Sequence, residues 1–341
     1  MKKKYFIVVL SVLSIYLSVS ILAQNAALPS QEELPVGSFL QPLSGLQLEG
    51  SRQAALEDAI KQKDYKKAET ILVEETEHDP KSIRAAKLLE IAGGVFFLDG
   101  QYLNSVIAWK RAASITALDD RSRFSLAMAY IKLNRRDWAR PELEKLSSVQ
   151  PRNSLYPYWL ARLDYDAQNY SSAIVRLQKV IELDSTMMRA YDLLGLCYDY
   201  RGQFEEAIQN YNQAVELNRR QAKPSAWPQV NLAVTLVSVN RLTEAEKNLR
   251  EALQYDNQLP QAHYQLGRVL EMQGGQQAAI QSLNKAVALD PTYPEPHYLL
   301  GRIYQKLGES QLAKVEIAKF KELKDNAEKQ PKSSPPIPET K

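Results

Sequence analysis

Three pairs of side chains, Tyr158 with Arg162, Tyr264 with Arg268 and Tyr298 with Arg302, stand four residues apart. On a helix that spacing puts both members of a pair on one face. An arginine fork there can grip a carboxylate through two parallel N–H bonds, and the tyrosine ring beside it adds flat contact area. The same residues can also stack on one another and bond to neighbouring loops. The first reading is recognition and the second purely structural, and neither is bond making.

Catalysis needs a nucleophile, a base and a group that orients them, and this chain is poor in all three. Its single cysteine, Cys197, lies between Leu196 and Tyr198 in a stretch expected to be a helix interior, where it reads as a small core hydrophobe. His78 sits in the turn "TEHDP". There is no phosphate loop, nucleophile elbow or paired metal motif. Gly93 with Gly94, and Gly274 with Gly275, do not follow strands and read as packing and turn residues. Asn169, Tyr170 and Ser171 form a glycosylation triplet that matters only in a eukaryotic secretory pathway. The expectation is a non-enzymatic chain with no cofactor and no metal.

Charge and composition narrow the partner. Of 341 residues, 43 are basic and 40 acidic. Lys2, Lys3 and Lys4 account for the excess, so without them the body carries 40 of each and lacks the basic field that nucleic acid requires. These lysines open a basic start followed by an uncharged run from Tyr5 to Ala23, the pattern of an export signal. Ala23, Ala26 and Ala27 offer cleavage sites, and no positive cluster follows to stop transfer. The run is also long enough to span a bilayer if it is kept. The body is therefore expected outside the cytoplasm, periplasmic or secreted, or held at the membrane by residues 5–23. Cys197 lies deep in the chain and not just after the apolar run, so there is no thiol there for a lipid anchor, and one cysteine allows no internal disulfide.

Residues 24–50, with Pro29, Pro35, Pro42, Gly37 and Gly45, read as a linker, and residues 326–341, rich in proline and serine, as a disordered tail. Between them the chain repeats itself. Gly93, Ala127, Ala161 and Gly195 are 34 residues apart; after one interval of 38, Ala233, Gly267 and Gly301 restore the spacing. Ala139, Ala173, Ala207, Ala245, Ala279 and Ala313 each follow a member of that series by 12, and Ala112, Leu146, Val180, Ala214, Ala252, Ala286 and Phe320 complete the pattern seven further on. Small residues are wanted where two helices cross closely and large ones beside them fill the gaps. Each unit is therefore a helical hairpin, with Gly202, Gly274 and Gly308 as stops between its two helices and Pro80, Pro151 and Pro291 closing units. The 38-residue interval places four extra residues near Arg219, Arg220, Lys223 and Pro224, predicting a longer basic loop.

The stretch "YDLLGLCYDYRGQFEEAIQNYNQAVEL", Tyr191 to Leu217, resembles the tetratricopeptide repeat family, as do "HYQLGRVLEMQGGQQAAIQSLNKAVALDP" and "HYLLGRIYQKLGESQLAKVEIAKF". The resemblance covers about Ala86 to Phe320 in seven units. A weaker eighth lies at about Arg52 to Pro80, with Leu56 where the family prefers a small residue. Asp164 and Ser105 also depart from the pattern. It implies an all-α fold, a right-handed superhelix (α-solenoid) over residues 51–325, with His263 and His297 as bulky, partly buried residues at the fourth place of their repeats. It further implies that the first helices line a concave groove for a protein or peptide segment. Asp192, Asp199, Trp227 and Asn231 are expected to extend the face of the three pairs through the middle units and make the groove chemically mixed. The expected function is a scaffold of the periplasm or cell envelope; the alternatives are an accessory subunit that positions an envelope enzyme or secretion complex, and a membrane-anchored spacer.

Overall fold

The computed structural model describes residue 46 and residues 48–329. The leader, most of the linker and the tail from residue 330 lie outside the described residues. Those described form sixteen α-helices and no strand. They pair in chain order into eight hairpins: α1 (Gly50–Lys61) with α2 (Tyr65–Glu77), α3 (Ile83–Leu98) with α4 (Tyr102–Ile115), α5 (Asp120–Lys132) with α6 (Arg136–Val149), and α7 (Leu155–Asp166) with α8 (Tyr170–Leu183). The remaining four are α9 (Met188–Tyr200) with α10 (Phe204–Arg219), α11 (Trp227–Ser238) with α12 (Leu242–Tyr255), α13 (Pro260–Met272) with α14 (Gln276–Leu289), and α15 (Pro294–Lys306) with α16 (Ser310–Lys329). The fold is an all-α solenoid in which the weak first repeat is a full hairpin, with Leu56 wholly buried where a small residue was expected. Helix α16 runs on past residue 325 to Lys329.

The described chain falls into two compact units, one ending at Leu163 and one beginning at Asp164. Within each, a hairpin closes by seating a large side chain of the second helix on the small residue of the first. A β-carbon on Gly93 would come within 2.6 Å of the Trp109 ring, and one on Gly195 within 2.6 Å of Tyr211. Leu283 and Ile317 fill the same place against Gly267 and Gly301. Where the small residue is Ala127 or Ala233, the corresponding residue is Leu143 or Leu249, both fully buried. The two largest knobs, Trp109 and Tyr211, are each admitted by a glycine, while leucine or isoleucine serves against glycine and alanine alike; in each case the fit keeps packing dense.

All eight turns use one device. Lys63, Gly100, Asn134, Gln168, Gly202, Asn240, Gly274 and Gly308 have positive φ, and each donates its N–H back to a carbonyl three residues earlier while the next residue reaches five back, as in Gly202 to Asp199 at 2.9 Å and Gln203 to Tyr198 at 2.9 Å. This is a Schellman closure, and half the hairpins make it without glycine.

The two departures from the repeat pattern are compensated locally. Ser105 donates its hydroxyl to the Gly93 carbonyl at 2.6 Å, and Asp164 accepts from Arg176 Nε at 2.8 Å. The long interval is stitched shut: the Asn218 amide exchanges bonds with the Ser225 backbone and donates to Gln229 at 3.0 Å, Gln229 donates to Glu251, and Glu251 takes Arg219. Arg219 of the expected basic loop is thus tied into the fold.

Candidate functional site

In the unit from Asp164 onward, successive first helices α9, α11, α13 and α15 touch one another, so residues recurring once per hairpin form rows across them. Polar bonds run along these rows like rungs. Asn231 of α11 donates to both carboxylate oxygens of Asp192 on α9, at 3.0 and 3.2 Å, and Thr235 donates to Asp199 at 3.0 Å. The next rung joins α13 to α15: Glu271, only 8% exposed at its side chain, accepts from Lys306 and lies 3.9 Å from Arg302.

Burial pushes the Asp199 carboxyl up to about 6, and its bond from Thr235 offsets this only in part. Glu295 is likewise raised by burial, and its Oε2 has no partner; the Gln261 amide oxygen, one repeat earlier, is also buried without one. Desolvation raises the hydroxyl of Tyr264, and the cationic Arg268 and Arg302 pull it the other way. Tyr264, Glu295, Arg268 and Arg302 share one local field.

The expected contact residues divide into three groups. Tyr298 and Arg302 lie open on α15 at 44% and 45% exposure, with the guanidinium carbon 6.0 Å from the ring centroid and Phe320 tilted against the ring at 5.2 Å. Tyr264, Arg268 and Trp227 are half-buried; Tyr264 is edge-on to Tyr293 at 5.4 Å and Arg268 donates to Gln265 at 3.4 Å. Asp192 and Asp199 are half-buried and engaged in the rungs. Two expectations need correction. Tyr158 is buried edge-on against Trp159 and offers no open ring, and Asn231 is buried and committed to Asp192. Arg162, in the unit ending at Leu163, is half-buried.

Glu271 went unseen in the sequence reading, because a single acidic residue answered from 35 positions away by Lys306 leaves no local signature. Its role is to hold two cations in place on α15, one of them the arginine of the most open pair.

Neither histidine of the recurring pair is set up with the other. His263 lies 3.1 Å from the Asn257 carbonyl and His297 2.6 Å from Glu316. Cys197 is fully buried.

Two family models, each described as tetratricopeptide repeat, match residues 186–258 and residues 294–326, and a third, described as TPR repeat, matches residues 273–308. No curated protein sequence matches the chain. Among solved structures, a tetratricopeptide repeat protein from Parabacteroides merdae superposes with a TM-score of 0.59 at 17% identity, covering 78% of this chain and 98% of that one. The APC/C hetero-tetramer Cut9-Hcn1 gives 0.58 at 16% identity over 73% of this chain and 48% of that one. PilW, described as a type IV pilus biogenesis factor, gives 0.55 at 17% identity over 62% and 94%. At these identities the likeness is one of fold.

Proposed function

Because the chain is a tetratricopeptide repeat protein, we propose that it is an exported, non-enzymatic scaffold that holds a segment of a partner protein against its first helices. Repeats of this kind stack to give a continuous core and an extended face, and that face is where such proteins hold their partners. One observation carries the reading: Tyr298 and Arg302 stand open side by side on α15, with Glu271 and Lys306 fixing the charge beneath them. An aromatic ring and a guanidinium preset in this way lose little side-chain entropy on binding, and together they suit an extended segment that carries an acidic side chain.

Export rests on Lys2, Lys3 and Lys4 ahead of the uncharged run from Tyr5 to Ala23. The periplasm or cell envelope is the setting this implies. Mass spectrometry of the mature amino terminus tests it: a new end near Ala23 to Ala27 supports a cleaved signal, and an intact Met1 favours the anchored form. The scaffold reading is tested by the variant Arg162→Glu, Arg268→Glu, Arg302→Glu, which is expected to lose its partner while keeping its helicity. Undiminished binding by a folded variant sinks it.

A further inference from the structure

Two first helices carry the same stripe. Gln261, Tyr264 and Arg268 on α13, and Glu295, Tyr298 and Arg302 on α15, stand at i, i+3 and i+7 and therefore share one face of each helix. The two helices touch, so the stripes lie side by side, with the acceptors at the amino ends and the arginines about 10 Å further along the axis. The Tyr264 hydroxyl feels Arg268, Glu295, Arg302 and Tyr298, which ties the two stripes into one site. On α9 the same three places hold Arg189, Asp192 and Leu196, and on α11 Trp227, Val230 and Val234, so this arrangement belongs to the last two hairpins.

The ends of the stripe differ in what answers them. At the arginine end, Glu271 lies 3.9 Å from Arg302. At the acceptor end, Glu295 Oε2 and Gln261 Oε1 are covered and have no donor among the described residues. Lys324 of α16 acts on the Glu295 carboxylate from a distance, its ammonium standing 5.4 Å from the centre of the Phe320 ring. A covered acceptor without a donor is costly, and a donor brought by a ligand removes that cost. Both side chains are half-buried rather than sealed in the core. The terminal torsions of glutamate and glutamine are broad, so small turns present these oxygens to an incoming group.

We propose that the segment held on α13 and α15 carries both charges: a lysine or arginine for Glu295 and the Gln261 oxygen, and an acidic side chain for Arg302. This rests on the scaffold reading and adds to it the partner's charge pattern and how the segment lies, basic end over the amino ends of the two helices. A lysine ammonium, with three donors and no acceptor, satisfies both oxygens at once. In a polyproline-type segment residues i and i+3 lie on one side about 9 Å apart, close to the separation of the two ends of the stripe. The basic and acidic residues should therefore stand three positions apart, with the side chains between them laid on Tyr264 and Tyr298.

The test is selection of a displayed library of random twelve-residue peptides on the full-length chain and, in parallel, on its Glu295→Gln variant, which keeps the shape of the side chain and removes its charge. Peptides from the natural chain should be enriched in lysine or arginine three positions from aspartate or glutamate, and those from the variant in the acid alone. Replacing the basic residue of a selected peptide by glutamine should weaken its binding about tenfold on the natural chain and less than about twofold on Glu295→Gln. Peptides that carry the acid without the base on the natural chain, or an equal loss on both chains, overturn the proposal and leave the scaffold reading standing. Selection of no peptide by either chain overturns both.

Discussion

Asp199 sits where a rung of the first-helix face and the cost of burying charge meet. Its carboxyl, raised from 3.8 to about 6 by desolvation, binds a proton in the native chain over a range where the unfolded chain has released it. Stability contributed by this group therefore falls as pH rises from about 4 to about 6, and the full cost is present above that. Asp199→Asn keeps an oxygen for Thr235 and removes the charge, so its melting temperature should exceed that of the natural chain at neutral pH, by a stability on the order of 2 kcal/mol, and the gap should close below about pH 4. Glu251 runs in the opposite sense. Its hydrogen bond from Arg219 holds it down to about 2 from 4.5, so its stabilisation is complete above about 4.5 and is lost as pH falls toward 2. Glu251→Gln should cost about 1–3 kcal/mol at neutral pH and nothing near pH 2; a denaturation series across pH reads both effects. At this scale the sequence was only partly legible. The tyrosine and arginine pairs announce themselves by spacing, and Tyr298 with Arg302 is as open as that spacing suggests. Tyr158 is not, because whether a ring points outward depends on a neighbour such as Trp159 that the repeat pattern does not specify.

The helical hairpin is where sequence and structure agree best, since it rests on small residues at fixed intervals and on the large residues that answer them. Two glycines of one hairpin separate the forces involved. Gly195→Ala drives a β-carbon into Tyr211 and should cost about 1–3 kcal/mol through overpacking. Gly202→Ala meets nothing within 4 Å and should cost about 1 kcal/mol through its left-handed backbone alone. Pairing each with Tyr211→Leu should rescue the first and leave the second unchanged; equal response of both to the Tyr211 change would refute the knob and hole assignment. Gln168→Gly, which puts the residue the turn prefers at φ 62°, should raise stability by about 0.5–1 kcal/mol. Glycine marked three turns in the sequence, while Lys63, Asn134, Gln168 and Asn240 gave no warning. The left-handed bend there is imposed by helix packing on both sides of the turn and overrides a residue preference worth only about 1–2 kcal/mol.

Across the whole molecule, the repeat explains why the fold was readable from end to end and the function only in outline. Each hairpin needs a neighbour to bury its apolar face, so the apolar code recurs and can be counted, even in the first repeat where Leu56 breaks it. A binding face carries no such demand. Its residues vary from hairpin to hairpin, as the change from Asp192 to Tyr264 and Tyr298 at one repeated place illustrates, with the wholly buried Val230 between them, and only the partner can say which of them matter. The most direct measurement is crosslinking of the tagged, full-length chain in its native cell, with captured proteins identified by mass spectrometry and compared with Arg162→Glu, Arg268→Glu, Arg302→Glu of matched melting temperature. A defined set of envelope proteins captured by the natural chain and lost by the variant is the expected outcome. Capture of the same set by both would contradict a working face on the first helices.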